Sequence, residues 1–149
     1  MEVIRNRSFD FIAGDILSLK LIFFNEGDEV EIPYYWYEIF LNSTGNPIGK
    51  ISIRIGHNYH SYFNGNIGYE IDEEYRGHNY SLIASKMVLE IAKYYNMSDL
   101  VLTCDEDNVA SYKTIEKLGA KLIEIIYPPM EYFGYYDGIP EQRIYKLSV

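Results

Sequence analysis

Residues 67–103 read IGYEIDEEYRGHNYSLIASKMVLEIAKYYNMSDLVLT. Residues 67–71 are a short apolar run typical of a strand, and apolar side chains then recur at helical spacing over residues 80–95. A second apolar run follows at residues 100–103. A strand, a helix and a second strand in this order predict a right-handed crossover between two parallel strands.

The loop between the first strand and the helix, residues 74–81, reads EYRGHNYS. A glycine-containing loop that leads into a helix directs backbone N–H groups outward at the positive end of the helix dipole. Arg76 adds a charge-assisted donor beside them. This loop therefore predicts an anion site that suits a pyrophosphate, although Arg76 also fits a surface salt bridge and Ser81 a simple helix N-cap.

The chain before this unit alternates apolar and polar residues at period two, which is typical of half-buried strands. Strands are predicted at residues 17–23, 36–42 and 48–55. Turn signals separate them at residues 25–28, 43–47 and 64–66. The first half of the chain is therefore expected to be an antiparallel meander.

The chain after the unit predicts a second helix over residues 109–118, which Gly119 ends. Two strands follow at residues 121–126 and 142–147, separated by a loop rich in Tyr, Pro and Gly. The elements together predict an α/β (α+β) fold with a mixed, mainly antiparallel sheet of about seven strands and flanking helices.

Composition limits the class of protein. The chain has 149 residues, 48% of them hydrophobic and 23% charged, which fits one soluble globular domain over residues 1–149. It has no apolar run long enough for a membrane span and no signal-peptide pattern. Its single cysteine, Cys104, excludes an internal disulfide and favours a reducing cytoplasm.

The net charge of −9 argues against nucleic acid as a partner, because phosphate neutralisation needs a basic face. It suits an amine-bearing substrate. His and Cys residues are too few and too scattered to predict a metal site. The many Tyr, Ile, Asn and Lys residues are typical of an AT-rich bacterial genome.

Two segments resemble the acyl-CoA-binding motif of the GNAT superfamily of N-acetyltransferases. In the loop, Arg76 and Gly77 match the Arg/Gln-x-x-Gly-x-Gly/Ala pattern, Asn79 replaces its usual glycine, and Ser81 stands at its last small position. Asn tolerates a left-handed backbone better than most residues, so the loop is expected to survive the change. Residues 108–120, NVASYKTIEKLGA, resemble the family's Asn-x-x-Ser/Ala and Glu-Lys-Leu-Gly-Phe segment, with Ala120 in place of the aromatic residue.

The resemblance implies the GNAT fold, acetyl-CoA as the cofactor and transfer of an acetyl group to an amine by direct attack in a ternary complex. The motif style is closest to the ribosomal-protein N-terminal acetyltransferase-like branch, so the acceptor is a protein amine or a small molecule. The fourth and fifth predicted strands would splay apart so that pantetheine inserts between them. Homodimers are common for this fold.

The resemblance also implies which residues hold the cofactor. The backbone of Ile71 would pair with pantetheine, and Asn108 and Ser111 would face the cofactor. The pyrophosphate would lie on the loop formed by Arg76, Gly77, His78, Asn79, Tyr80 and Ser81. Asn108 fits equally well as the N-cap of the second helix.

The general acid and base are less clear in the sequence. Many members of the family carry a tyrosine acid four residues after the position of Ser111, where this chain has Ile115. Tyr112 is the remaining candidate for the acid, and Ser111 is a candidate to orient the thiolate. The base candidates are Glu70, then His57 and His60, and a chain of water molecules would need none of them.

The acceptor side differs from the family pattern. Members usually have one or two helices after the first strand, whereas here about ten residues, 25–33, fill that interval. The loop at residues 127–141 is a candidate replacement for the missing wall, with Tyr132, Tyr135 and Tyr136 able to hold an amine by cation–π contact and Glu131 or Asp137 able to pair with its charge. An ordinary exposed loop explains it equally well. Two functional alternatives stay open: a module that binds CoA without catalysis, and an interaction protein on the same scaffold.

Overall fold

The computed structural model describes residues 2–149. The strands are β1 Phe11–Ala13, β2 Leu17–Asn25, β3 Tyr34–Leu41, β4 Pro47–Arg54, β5 Ile67–Ile71, β6 Asp99–Asp105, β7 Lys121–Ile126 and β8 Gln142–Ser148. The helices are α1 Ser61–Asn64, α2 Tyr80–Tyr94 and α3 Val109–Lys117, with short 3₁₀ turns at Arg7–Phe9 and Glu73–Tyr75. Neither β1 nor α1 is predicted from the sequence.

The strands form two antiparallel sheets. The first holds β1 to β5 in chain order, and the second holds three strands in the order β6-β8-β7. The predicted combination of a mainly antiparallel meander with flanking helices is confirmed. The predicted parallel pairing of the two strands of the crossover is wrong, because β5 and β6 are edges of different sheets.

Asn66 joins the two sheets at the start of β5. Its backbone N–H donates to the carbonyl of Val101 at 2.6 Å, and its side-chain oxygen accepts the Val101 N–H at 2.8 Å. Its side-chain nitrogen donates to the carbonyls of Arg54 and Gly56, and the residue is 0% exposed. Since β5 and β6 meet at Asn66 and share no strand pairing beyond it, they splay apart towards the C-terminal end of β5.

One face of the five-stranded sheet packs on α2. The alternating residues of β2 to β5 supply this face, which includes Leu19, Tyr37 and Ile53, each 0% exposed. Ala84, Val88 and Ile91 of α2 are also 0% exposed. Burial of each large apolar side chain stabilises the fold by roughly 1.5–3 kcal/mol, which fixes β5 relative to α2.

The interval between β2 and β3 contains no helix, as expected from its length. The Asp28 carboxylate accepts the N–H groups of Val30 at 2.7 Å and Glu31 at 2.8 Å, which closes a tight turn there. These hydrogen bonds hold the pKa of Asp28 below its usual value. The outer face of the sheet therefore lacks the helical cover that many members of the family would place on it.

The loop at residues 127–141 packs against α1. The Tyr132 ring is 9% exposed and lies 5.5 Å from the Phe63 ring, and the Phe133 N–H donates to Nδ1 of His60 at 3.1 Å. The Tyr62 hydroxyl donates to the Glu124 carboxylate and ties α1 to β7. Because its ring is buried, Tyr132 is not accessible for cation–π contact with an amine.

Among the described residues, no helix has both the length and the apolar character that a membrane crossing needs. Within residues 2–149 no cluster of His, Cys, Asp and Glu side chains is arranged to hold a metal ion.

Candidate active site

A cleft of about 670 Å³ lies between β5 and α3. Its walls come from β5, the loop that follows it, the start of α2 and one face of α3. Eight of the nine predicted cofactor residues line it: Ile71, Arg76, Gly77, Asn79, Tyr80, Ser81, Asn108 and Ser111. The fold therefore brings together two segments that lie about thirty residues apart in the sequence.

The loop before α2 turns through two left-handed residues, Gly77 with φ 89° and Asn79 with φ 61°. The expectation that Asn79 adopts the left-handed conformation is confirmed. Asn79 is also the N-cap of α2, but its side chain makes no capping bond and instead accepts Lys117 Nζ at 3.2 Å. The N-cap role considered for Ser81 is wrong, since α2 already begins at Tyr80.

The first turn of α2 leaves N–H groups that have no intrahelical partner and no side-chain cap. The residues that carry them, Tyr80 and Ser81, line the cleft, so the positive end of the helix dipole faces it. Arg76 Nε donates to the Ile71 carbonyl at 2.9 Å, which holds the guanidinium against β5. None of the salt bridges among residues 2–149 involves Arg76.

His78 lies outside the cleft lining. Its ring is exposed and stacks on the Tyr80 ring at 5.2 Å with an interplanar angle of 27°. His78 stands between the two left-handed residues Gly77 and Asn79, and both of these line the cleft. Contact between His78 and a cofactor stays a prediction for which the geometry offers no support.

The start of α3 carries the second set of site residues. The Asn108 side chain accepts the Ser111 N–H at 3.2 Å, which confirms Asn108 as the N-cap. The Ser111 hydroxyl lies 3.1 Å from the hydroxyl of Tyr69 on β5. Lys113 and Lys117, one helical turn apart on α3, also line the cleft, and neither was singled out in the sequence.

The structure places Tyr112 away from the cleft. Its ring lies under the Arg143 guanidinium, 4.0 Å from the ring centroid, and Arg143 in turn pairs with Glu106 at 3.3 Å. Ile115, at the position where many family members have tyrosine, is 1% exposed and belongs to the core. Neither position therefore presents a hydroxyl to the cleft.

Tyr69 is the residue that the sequence analysis missed. Its phenol lines the cleft, and burial raises its pKa above the usual value, while hydrogen bonds from Ser111 and Thr114 lower it by less. The signal in the sequence was the period-two spacing of Ile67, Tyr69 and Ile71, which puts the three side chains on one face of β5. Because Ile67 and Ile71 are buried against the helices, the Tyr69 ring is directed towards them as well.

The candidate bases occupy different places. Glu70 is exposed, lines the cleft and pairs in register with Lys50 of β4. His57 Nε2 lies 3.2 Å from Asp99, and His60 accepts a backbone N–H from the loop at residues 127–141. Only Glu70 of these three is at the cleft.

Cys104 is 8% exposed and lies beside Ser111. Burial raises the pKa of its thiol to about 11, so the thiol is protonated near neutral pH. A thiol in its protonated form is a poor nucleophile.

A family model for the acetyltransferase (GNAT) domain matches residues 17–121 of the chain. The sequence has no significant match among curated proteins. The match covers β2 to β7 in part or whole, and so includes both segments that line the cleft.

Solved structures with the same fold cover most of the chain. A GNAT-family acetyltransferase from Bacillus anthracis aligns with a TM-score of 0.66 at 16% identity, over 93% of this chain and 98% of that one. The ribosomal-protein-S5-alanine acetyltransferase of Vibrio fischeri aligns with a TM-score of 0.60 at 17% identity, over 77% of this chain and 61% of that one. The microcin C7 self-immunity acetyltransferase MccE, in complex with acetyl-CoA and AMP, aligns with a TM-score of 0.60 at 19% identity, over 78% and 61%.

At identities this low the solved structures establish the fold, and the domain match over residues 17–121 establishes the family. The chain therefore belongs to the GNAT family of acetyl-CoA-dependent N-acetyltransferases.

Proposed function

We propose that the cleft beside β5 holds acetyl-CoA and that an amine attacks the bound thioester directly in a ternary complex. The observation that carries the proposal is the meeting of a bare strand edge with an uncapped helix N-terminus in one cleft. The strand edge offers unpaired backbone groups to the amides of pantetheine. The helix N-terminus offers N–H donors and a positive dipole to the pyrophosphate.

The charges in the cleft support this assignment. Arg76, Lys113 and Lys117 line it in a protein whose net charge is −9. Charge-assisted hydrogen bonds contribute about 1.5–3 kcal/mol each, so three cations and the helix amides suit a ligand with several phosphate groups. In this assignment the backbone from Arg76 to Ser81 binds the pyrophosphate, Ile71 pairs with pantetheine, and Asn108 and Ser111 face the cofactor.

The acceptor is an amine, and its proton leaves as the new C–N bond forms. Glu70 is the proposed base, acting directly or through water, because it is the one base candidate at the cleft. Protein N-terminal amines are the proposed acceptor class, supported by the fold likeness to a ribosomal-protein acetyltransferase. The uncovered outer face of the sheet leaves room for an acceptor as large as a peptide.

A bacterial cytoplasm is the proposed location, supported by one reduced thiol and the absence of an apolar helix of spanning length in residues 2–149. A homodimer is proposed on the exposed apolar side chains of the edge strand β7, Leu122, Ile123 and Ile125. Light scattering at several protein concentrations measures that state directly.

The test supplies acetyl-CoA with a panel of amines: short peptides that begin with Ala or Ser, and a polyamine. Thiol release that depends on the acceptor is expected, and Arg76→Ala is expected to weaken CoA binding while Lys86→Ala, exposed on the outer side of α2, leaves it unchanged. CoA at about 100 times its Kd stabilises the fold by about 2.7 kcal/mol, which a melting curve detects.

Two results would contradict the proposal. CoA that raises the melting temperature without any acceptor-dependent thiol release would make the chain a silent binding module. A melting temperature that responds to CoA no more than to ATP would leave only an interaction protein.

A further inference from the structure

The phenol of Tyr69 occupies a place that no part of the recognised motif requires. Tyr69 lies in the middle of β5, and its hydroxyl is 3.1 Å from the Ser111 hydroxyl and 3.4 Å from the Ser111 carbonyl oxygen on α3. These contacts fix the ring between β5 and α3, and Tyr69 is among the residues that line the cleft.

The position of Tyr69 along the cleft is distinctive. The phosphate-binding loop, residues 76–81, lies beyond the C-terminal end of β5, whereas Asn66 closes the gap between the strands at the other end. A cofactor that places its phosphates on the loop and runs along the edge of β5 brings its sulfur towards the middle of the strand. Tyr69 is therefore beside the reacting end of the cofactor, and Tyr75 and Tyr80 are beside its phosphates.

The structure also removes the other phenols from consideration. Ile115 puts a buried alkyl group at the helix position, and the Tyr112 ring is held under Arg143. We propose that Tyr69 is the general acid of the reaction, and that Ser111 holds its hydroxyl in place. The tyrosine that family members carry on the helix is thus replaced by one from the neighbouring strand. This inference rests on the proposed function of the cleft.

The step balances as follows. The amine lone pair forms the C–N bond to the thioester carbonyl carbon, and the tetrahedral intermediate collapses with rupture of the C–S bond. The electron pair of that bond leaves on sulfur, which takes the hydroxyl proton of Tyr69. The amine gives one proton to the base, and the phenolate regains a proton from solvent, so the products are an amide and the free thiol of CoA.

The proton affinities suit this transfer. A thiol in water has a pKa near 8.5 and a phenol one near 10, so the transfer from phenol to thiolate is unfavourable there. Burial raises the pKa of Tyr69, and desolvation of the thiolate raises that of the thiol in the same direction, so the cost of the transfer stays near its value in water. A gap of about 1.5 units costs only about 2 kcal/mol, and the phenolate regains its proton from solvent.

The first experiment needs no acceptor. CoA is bound to the wild-type protein and to Tyr69→Phe, and the ultraviolet absorbance of its thiolate is followed against pH. Loss of a hydroxyl that donates to the thiolate is expected to raise the pKa of the bound thiol by about one unit. Tyr94→Phe, the same chemical change at an exposed position on α2, is expected to leave it unchanged.

The second experiment measures turnover with the amine that the panel identifies. Tyr69→Phe is expected to lower kcat about a hundred-fold, with KM for acetyl-CoA within a few-fold and the alkaline limb of the kcat profile lost. Ser111→Ala keeps the Tyr69 phenol but removes the hydroxyl that holds it in place. A smaller loss of kcat is therefore expected, and the alkaline limb of the kcat profile is expected to move to a different pH. Ser111→Ala thus tests the assignment independently if Tyr69→Phe does not fold.

Three outcomes would overturn the inference: an unchanged pKa of the bound thiol, kcat within about two-fold of wild type, or loss of CoA affinity in a folded Tyr69→Phe protein. Failure of the wild-type protein to acetylate any amine counts against the proposed function instead. In that case the thiolate titration still decides whether Tyr69 reaches the sulfur.

Discussion

The thiol of Cys104 shows how burial sets the chemistry of a single side chain. With its pKa raised to about 11, only about one thiol in ten thousand is ionised at pH 7. A free cysteine at the same pH is ionised about three hundred times more often. We therefore expect a chromogenic disulfide reagent to modify Cys104 at least about a hundred-fold more slowly than free cysteine.

The same shift makes a prediction about stability. Because the folded protein holds the proton more tightly than the unfolded chain, this contribution is complete below the ordinary pKa of 9.0 and is lost as pH rises towards 11. Urea unfolding at a series of alkaline pH values measures the slope, and Cys104→Ala is the comparison that lacks it. The assigned burial of Cys104 would be contradicted if the wild-type protein and Cys104→Ala lost stability equally with rising pH. Rapid modification of Cys104 in the folded protein by the disulfide reagent would contradict it as well.

Residue by residue, the sequence predicts backbone roles better than side-chain roles. The left-handed Asn79 and the capping Asn108 follow from short-range chemistry, and both are confirmed. For the general acid, spacing along one helix in the sequence pointed to Tyr112. It could not identify Tyr69, because the approach of β5 to α3 depends on how both elements pack on α2.

At the scale of elements, the loop before α2 offers a matched pair of substitutions. Asn79 and Asn96 share a φ of 61°, but Asn79 lines the cleft and Asn96 follows the far end of α2. Each change to Ala is expected to destabilise the fold by about 1–2 kcal/mol, because the Cβ of alanine clashes with the backbone in the left-handed conformation. Only Asn79→Ala is also expected to weaken CoA binding.

Urea unfolding and melting curves with CoA measure the two effects separately. Asn79→Gly is the rescue variant, since glycine adopts the conformation without strain. Equal loss of CoA affinity in Asn79→Ala and Asn96→Ala would show that the effect is one of general stability.

The bounds of most elements could be predicted where turn signals stand at both ends. The prediction for β5 agrees with the structure at both ends, and so does the one for β7. The three-residue β1 and four-residue α1 are too short for any periodicity to register. The pairing of β5 with β6 was mispredicted because the crossover rule assumes one continuous sheet.

At the scale of the whole molecule, the two sheets depend on Asn66. Its buried side chain satisfies two carbonyls and one N–H, and an alanine there would leave all three unpaired. Unpaired buried groups cost about 1–3 kcal/mol each, so Asn66→Ala is expected to lower the free energy of unfolding by at least about 3 kcal/mol. Hydrogen exchange at the Val101 amide is expected to quicken.

Urea unfolding followed by fluorescence and by circular dichroism measures the loss. One transition is expected for the wild-type protein, in keeping with a single domain over residues 1–149, a prediction supported by one buried core that spans both sheets. Ser85→Ala is the control, because its buried hydroxyl has no partner and its removal costs no hydrogen bond. A loss in Ser85→Ala equal to that in Asn66→Ala would contradict the role of Asn66.

The divergence of β5 and β6 has a consequence for how the protein avoids aggregation with other chains. Two bare strand edges on an open surface would recruit strands from neighbouring proteins and begin aggregation. Here the two edges face each other across a narrow gap that Asn66 closes at one end. The hydrogen bonds between Asn66 and Val101 occupy part of both edges, and Arg76 Nε occupies the Ile71 carbonyl at the other end of β5. Fewer backbone groups are therefore left on these two edges to pair with a strand from another chain.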